Sequence, residues 1–370
     1  MQQTYGNRVN NVYLFQSLGL LVCSIAVQLL AGAKILALVT GLPFLWATIV
    51  LVLIAMSYSM LYGLSASIIT DFIKINAILI IGFTLIPWTI VNGGGLAIIG
   101  KGFMGYSEKY SSLFNSDGVA VFLSFGLPAT IGLLSGPFGD QAFWQRAFAI
   151  REKSVQKAFI FGAFIFALVP LLMSCLGFMA AGLKMLPKDI QFVNLEVISQ
   201  LLPAWTLLPF VGMVMCGLIS AIDSHMTAIS SVGGHDINLR LTHTERKKSD
   251  KNAIKWARIA IIIIAITAII IANIPGIKIE YLFLFYGTLR ASTLLPTVIT
   301  LLRKKPAHEG SIYWGIIISI CVGLPIFSYG NFTQTVLYVV VGSLITLLAS
   351  GVIVFVSTFF ILDNKRANKF

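Results

Sequence analysis

Apolar runs of about 20 residues recur from one end of this chain to the other, and that pattern limits what it can fold into. As a helix, one such run crosses a hydrocarbon core of roughly 30 Å. The runs read as spans 12–32, 44–62, 71–92, 118–137, 155–182, 205–232, 253–274, 281–302, 312–329 and 333–361. Charged residues make up 11% of the chain, against roughly 25% in a soluble domain. Hydrophobic residues make up 57%, and the mean hydropathy is +0.90. The expected fold class is therefore an all-α polytopic membrane protein of about ten transmembrane helices. Residues 1–11 form a polar N-terminal segment, 12–362 the membrane domain and 363–370 a basic tail. The N-terminal stretch shows no signal-peptide pattern.

The net charge of +12 would suggest nucleic acid in a soluble protein, but the positions of the charges exclude that partner. Taking the N-terminus as cytoplasmic, nineteen Lys and Arg fall on the cytoplasmic side. They run from Arg8, Lys74 and Arg146 through Arg240, Arg246, Lys247 and Lys248 to Arg303, Lys304, Lys305 and Lys369. Six fall opposite, Lys109 among them, and Arg290 lies within a span. This bias follows the positive-inside rule with both termini cytoplasmic, and it suits an anionic lipid bilayer. Cys23, Cys175, Cys216 and Cys321 sit in apolar runs without metal-ligand spacing. No phosphate-cradling glycine loop or nucleophile triad is visible, so an enzyme is not expected, nor a cofactor. His225, His235, His243 and His308 show no metal spacing, and His225 reads as solvated at a helix end. Asn331-Phe-Thr333 is a glycosylation sequon on the outer side.

Three stretches depart from plain apolar helix. In the sixth span, Ser220, Asp223, Ser224, Thr227 and Ser231 fall at i, i+3, i+4, i+7 and i+11, on one helix face. A carboxylate at mid-helix costs about 2.5–3.5 kcal/mol to insert, so Asp223 should face a cavity, an ion or a partner. Hydroxyls and a carboxylate are hard ligands for a small cation. A helix–helix hydrogen-bonding face is the competing reading. Asp71 follows the small-residue stretch Gly63–Thr70 and reads as a first-turn acid, with Ser67 or Thr70 as cap. The fourth span ends in Leu134-Ser-Gly-Pro-Phe-Gly-Asp140-Gln141, where Gly136 and Pro137 either break the helix or end it.

At these stretches the chain resembles the sodium/solute symporter family. Gly63-Leu-Ser-Ala-Ser-Ile-Ile-Thr70-Asp71 is similar to the family's glycine-rich stretch ending in Thr-Asp. Gly139-Asp-Gln-Ala-Phe-Trp-Gln145-Arg146 is similar to its glycine-to-arginine segment. Ser220-Ala-Ile-Asp223-Ser224, followed by Ser230-Ser231 and His235-Asp236-Ile237, is similar to its serine-rich helix closing on an acidic pair. The resemblance covers roughly residues 4–302. It implies a five-helix inverted-repeat, leucine-transporter-like core, with a midplane site around broken helices. It implies Na⁺ held by Ser220, Asp223, Ser224 and Asp71, or a shared proton in its place. Ala221 stands where relatives carry a second hydroxyl. The resemblance also implies a solute pocket including Ser135, Gly136, Phe138, Asp140 and Gln141.

The function implied is Na⁺-coupled symport of a small polar organic solute by alternating access, in a bacterial inner membrane. Tyr5-Gly-Asn-Arg8-Val resembles the basic loop after the second core helix, so the core is expected to be partial. An upstream partner chain supplying the missing helices would complete it. Two other functions fit the same residues: a symporter-type membrane sensor, and an inactive fragment truncated at its N-terminus.

Overall fold

In hydrocarbon no water satisfies a free N–H or C=O, so an isolated apolar run must close its own backbone hydrogen bonds as a helix. The computed structural model describes residues 2–106, 114–237, 250–302 and 307–367, and the described residues contain helices and no strand. In chain order the helices are α1 (Gln2–Thr40), α2 (Phe44–Asn92), α3 (Leu96–Gly102) and α4 (Ser116–Val121). A π-helical turn, Phe122–Gly126, leads into α5 (Leu127–Gly139), followed by α6 (Gln141–Ala149), α7 (Glu152–Gly182) and α8 (Val193–Leu201). Then come α9 (Leu207–Ser231), α10 (Asp250–Ala272), α11 (Ile279–Leu302), α12 (Glu309–Ile318), α13 (Leu324–Thr333) and α14 (Val336–Ala367). Among the described residues, ten helical segments are long and apolar enough to cross a membrane, which agrees with the sequence.

Three boundaries differ from expectation. The polar N-terminal segment is helical from Gln2, with an interruption at Gly6 (φ 80°, ψ −171°). The third span begins at Gly63, where φ of +59° interrupts α2; without a Cβ, glycine takes this left-handed conformation at little cost. Asp71 therefore lies in the third turn of its segment and is not a first-turn acid. The break expected at Gly136–Pro137 falls at Asp140, which is extended (φ −104°, ψ 116°) while α5 runs on to Gly139. Asp140 ends the run because its Oδ1 accepts from the Ala142 N–H at 3.0 Å, capping α6. Asn331 of the sequon is buried within α13, its amide donating to the Phe327 carbonyl at 3.2 Å, so it is not an open glycosylation site. His243 and the cations Lys109, Arg240, Arg246, Lys247, Lys248, Arg303, Lys304, Lys305 and Lys369 lie outside the described residues.

The chain divides into two compact units. The first comprises Met1–Val27, Ala120–Trp144 and Ile274–Phe370. Its apolar clusters include Tyr5, Val9, Ile312, Ile316 and Val354, and a second set of Leu284, Phe327 and Val339. Tyr5 and Tyr13 of α1 pair with Thr300 and Thr297 of α11, each at 2.9 Å. Small residues let α5 and α11 approach closely, as helices in lipid do when packing rather than water drives association. A Cβ on Gly132 would lie 2.7 Å from the Gly287 Cα. The second unit comprises Gln28–Val119 and Gln145–Asn273, with a core built on Leu85, Ile86, Leu176, Met179, Ile198 and Phe210. Within it, α3 and α7 meet through Gly102 and Gly182, where added Cβ atoms would overlap the facing carbonyls of Phe178 and Ile98.

Gly132→Val should lower thermal stability in detergent by about 1–3 kcal/mol, the usual cost of overpacking a tight contact. Gly162→Ala, where an added Cβ meets nothing within 4 Å, should leave it unchanged or slightly raised. Melting curves of the two variants against the native chain check this.

Candidate functional site

The polar residues of the second unit converge on one cluster. Along α2, Ser67, Asp71 and Lys74 fall at i, i+4 and i+7, so the helix presents them on one face. The matching face of α9 carries Ser220, Asp223, Ser224 and Thr227, and α6 contributes Gln145 and Arg146. Tyr58 enters from the segment of α2 before the Gly63 interruption.

Asp223 is 0% exposed. Its Oδ2 accepts from the Tyr58 hydroxyl at 2.5 Å and from the Lys74 ammonium, and its Oδ1 accepts from the Ser67 hydroxyl at 3.0 Å. Asp71 Oδ1 accepts from the Ser220 hydroxyl at 2.5 Å, and its Oδ2 accepts from Arg146 Nη2 at 2.7 Å. Arg146 Nη2 also donates to the Ser224 hydroxyl at 2.5 Å, and that hydroxyl donates to the Ser220 carbonyl at 2.5 Å. Gln145 donates to the Thr227 carbonyl at 3.2 Å. Lys74 Nζ lies 3.6 Å from Asp71 Oδ1, which links the two carboxylate pairs. Two carboxylates and two cations make the quartet formally neutral. Breaking a buried pair by removing one partner typically costs about 3–5 kcal/mol, because a charge is left uncompensated.

The four residues expected to hold a cation, Ser220, Asp223, Ser224 and Asp71, do come together. What the sequence reading missed is that two protein cations already pair with their carboxylates. In the sequence Lys74 reads as a loop charge, and Arg146 as a loop charge that ends the Gly139–Arg146 segment. Ser67 and Thr70 are not caps: Ser67 serves Asp223, and the Thr70 hydroxyl donates to the Ser67 carbonyl at 3.1 Å. His225 is buried, not solvated, and its Nδ1 lies 2.6 Å from the Ala221 carbonyl. The side chains of His235, Asp236 and Ile237 lie outside the described set.

The first unit holds a separate ion pair. Arg290 Nη2 of α11 donates to Asp140 Oδ2 at 2.6 Å, and the guanidinium lies 4.6 Å from the Tyr286 ring centroid. Arg290 Nε is buried with no hydrogen-bond partner. Gly136 lies beside the guanidinium: a Cβ there would sit 3.6 Å from Nη1, in ordinary contact. Of the expected pocket residues, Asp140 and Gly136 thus meet Arg290. Ser135 instead donates to the Ile131 carbonyl of its own helix at 2.6 Å. Phe138 and Gln141 are half-buried. A small cleft here is lined by Pro128, Gly132, Leu133, Phe283, Tyr286 and Arg290, and by none of those five. Arg290 was visible in the sequence as a charge within a span, the signal that marks an intramembrane partner.

Arg290→Met leaves the Asp140 carboxylate buried without its cation and should cost about 3–5 kcal/mol of stability. Adding Asp140→Leu to that variant should recover more than half of the loss. Thermal unfolding of the single and double variants in one detergent reads this out.

With this geometry described, three kinds of likeness bear on it. The family model "Sodium:solute symporter family" matches residues 2–319. The "Urea-proton symporter DUR3" of rice is 21% identical over 349 residues, covering 83% of this chain and 47% of that protein. The "Probable urea active transporter 2" of Schizosaccharomyces pombe is 27% identical over 257 residues, covering 63% of this chain and 38% of that protein. The "Urea active transporter" of Saccharomyces cerevisiae is 21% identical, covering 81% of this chain and 44% of that protein. The chain therefore spans about half the length, or less, of these curated relatives. Among solved structures, a substrate-bound, outward-open Na⁺-coupled sialic acid symporter shares the fold, with a TM-score of 0.72 and 18% identity, covering 95% of this chain and 75% of that one. The leucine-transporter-like core expected from the motifs is the fold of that neighbour. By a match that takes in most of its length, this chain is a multi-pass membrane protein of the sodium:solute symporter family.

Proposed function

We propose that this chain carries out cation-coupled symport of a small, uncharged amide of the urea type, by alternating access. The observation that carries the reading is the intramembrane face of Asp71, Ser220, Asp223 and Ser224 in a chain of this family. Hard oxygen ligands at membrane depth suit a small monovalent cation, with Na⁺ the first candidate and H⁺ the second. Such a cation moving down the membrane potential supplies about 2.3 kcal/mol per 100 mV, plus its chemical gradient. The names of the curated relatives support urea as the solute class. The chemistry around Arg290 supports it too. An amide offers a carbonyl to the unpartnered Nε–H and N–H groups to the Asp140 carboxylate. We read Asp140, Gly136 and Arg290 as solute-recognition groups, with Ser135, Phe138 and Gln141 as their local frame. The loop-charge bias supports an orientation with both termini cytoplasmic.

The test is uptake of radiolabelled urea by proteoliposomes holding the purified chain, under inward gradients of Na⁺ or H⁺ at a set membrane potential. Uptake should exceed that of empty liposomes and collapse when the gradient is dissipated. Asp71→Asn and Asp223→Asn should each lower it by roughly tenfold or more, the equivalent of about 1.4 kcal/mol. Uptake indifferent to Na⁺, H⁺ and potential would contradict the proposal.

A further inference from the structure

We propose that Lys74 is a tethered cation seated where the coupling cation binds, so that a free cation enters by exchange with its ammonium and not by addition. This rests on the reading of the Asp71–Asp223 face as the coupling-cation seat.

The ammonium of Lys74 is surrounded by hard oxygen donors of the kind a free monovalent cation also takes. It contacts Asp223 Oδ2, the Tyr58 hydroxyl at 3.0 Å, the Thr70 hydroxyl at 3.3 Å and Asp71 Oδ1 at 3.6 Å. Its charge also lies 5.1 Å from the Tyr58 ring centroid. Charge counting then decides between addition and exchange. Among the described residues the facing charged groups are Asp71, Asp223 and Arg146, and with Lys74 seated the sum is zero. A further cation would bring an uncompensated positive charge into a region of low dielectric, where charges interact strongly. A cation replacing the ammonium leaves the sum at zero.

The two protein cations are not equivalent in this exchange. Arg146 is fixed at two acceptors, Asp71 and Ser224, by a planar group with preset donor geometry. Lys74 is a point charge on a flexible four-carbon stem with rotatable donors, which can leave the seat by changing rotamer. Asp223 has no exposure and, among the described residues, no other cation within ion-pair distance. Departure of Lys74 without a replacement leaves that carboxylate buried and unpaired, which is strongly unfavourable. The two events are therefore linked: the ammonium leaves when a free cation arrives, and it returns when the cation is released.

The experiment measures binding of ²²Na⁺ to the purified full chain in detergent, for the native protein and for Lys74→Met. The native chain should bind weakly. Lys74→Met keeps an apolar stem without the charge and should bind Na⁺ saturably and roughly tenfold tighter or more. Adding Asp223→Asn should abolish the gain. A second measurement needs no variant: an amine-reactive reagent, read out by peptide mass spectrometry, should label Lys74 faster in Na⁺ than in choline. Unchanged Na⁺ binding in Lys74→Met would overturn the proposal, as would equal labelling in the two salts. Neither readout depends on transport. Cation-driven urea uptake alongside unchanged binding in Lys74→Met refutes the tether alone, whereas uptake indifferent to every cation refutes the symport reading.

Discussion

Asp223 is a carboxylate with no access to solvent, in the middle of a helix long and apolar enough to cross a membrane. Transfer of an ionised group into such surroundings is tolerated only with a counter-charge and filled lone pairs. Much of the second unit's local architecture meets that demand. The Gly63 interruption separates the helical segment that offers Tyr58 from the one that offers Ser67, Asp71 and Lys74. The α9 face places Ser220 and Ser224 a turn apart so that they bridge the second carboxylate and Arg146. The result is a neutral quartet of two acids and two bases, with hydroxyls completing the shell.

The first unit solves the same problem with fewer parts. Asp140 does two jobs: one oxygen caps the start of α6 and the other holds Arg290. Arg290 also lies over the Tyr286 ring and beside Gly136. The close approach of α5 and α11 at Gly132 and Gly287 brings these groups within reach. Its buried Nε–H remains unpaired. A buried polar group left in that state is a cost to the fold.

The spans were legible in the sequence because the length of an apolar run is set by the bilayer itself, independent of tertiary contacts. The α9 face was legible because helical periodicity puts Ser220, Asp223 and Ser224 together whatever packs against them. Lys74 was not: in the sequence it is a cation at the edge of an apolar run, indistinguishable from a topology-setting loop charge. Its partner Asp223 lies 149 positions away, and only the pairing of α2 with α9 shows that it turns inward. Arg146 stands out as the end of a family-like segment and Arg290 as a charge within a span, but their partners lie 75 and 150 positions away and only the fold identifies them. The helix break was placed at Gly136–Pro137 because those residues are strong breakers in isolation. Asp140 prevailed because its side chain could cap a new helix.

The cluster depends on Lys74 and Asp223 acting as one buried pair, and a double-mutant cycle on those two residues tests this most directly. Unfolding in a single detergent would compare Lys74→Met, Asp223→Leu and the double variant with the native chain. The pair as described predicts a coupling of about 2 kcal/mol or more, with the double variant more stable than Asp223→Leu alone or Lys74→Met alone. Effects that add to within about 0.5 kcal/mol would contradict it, since independent residues behave in that way.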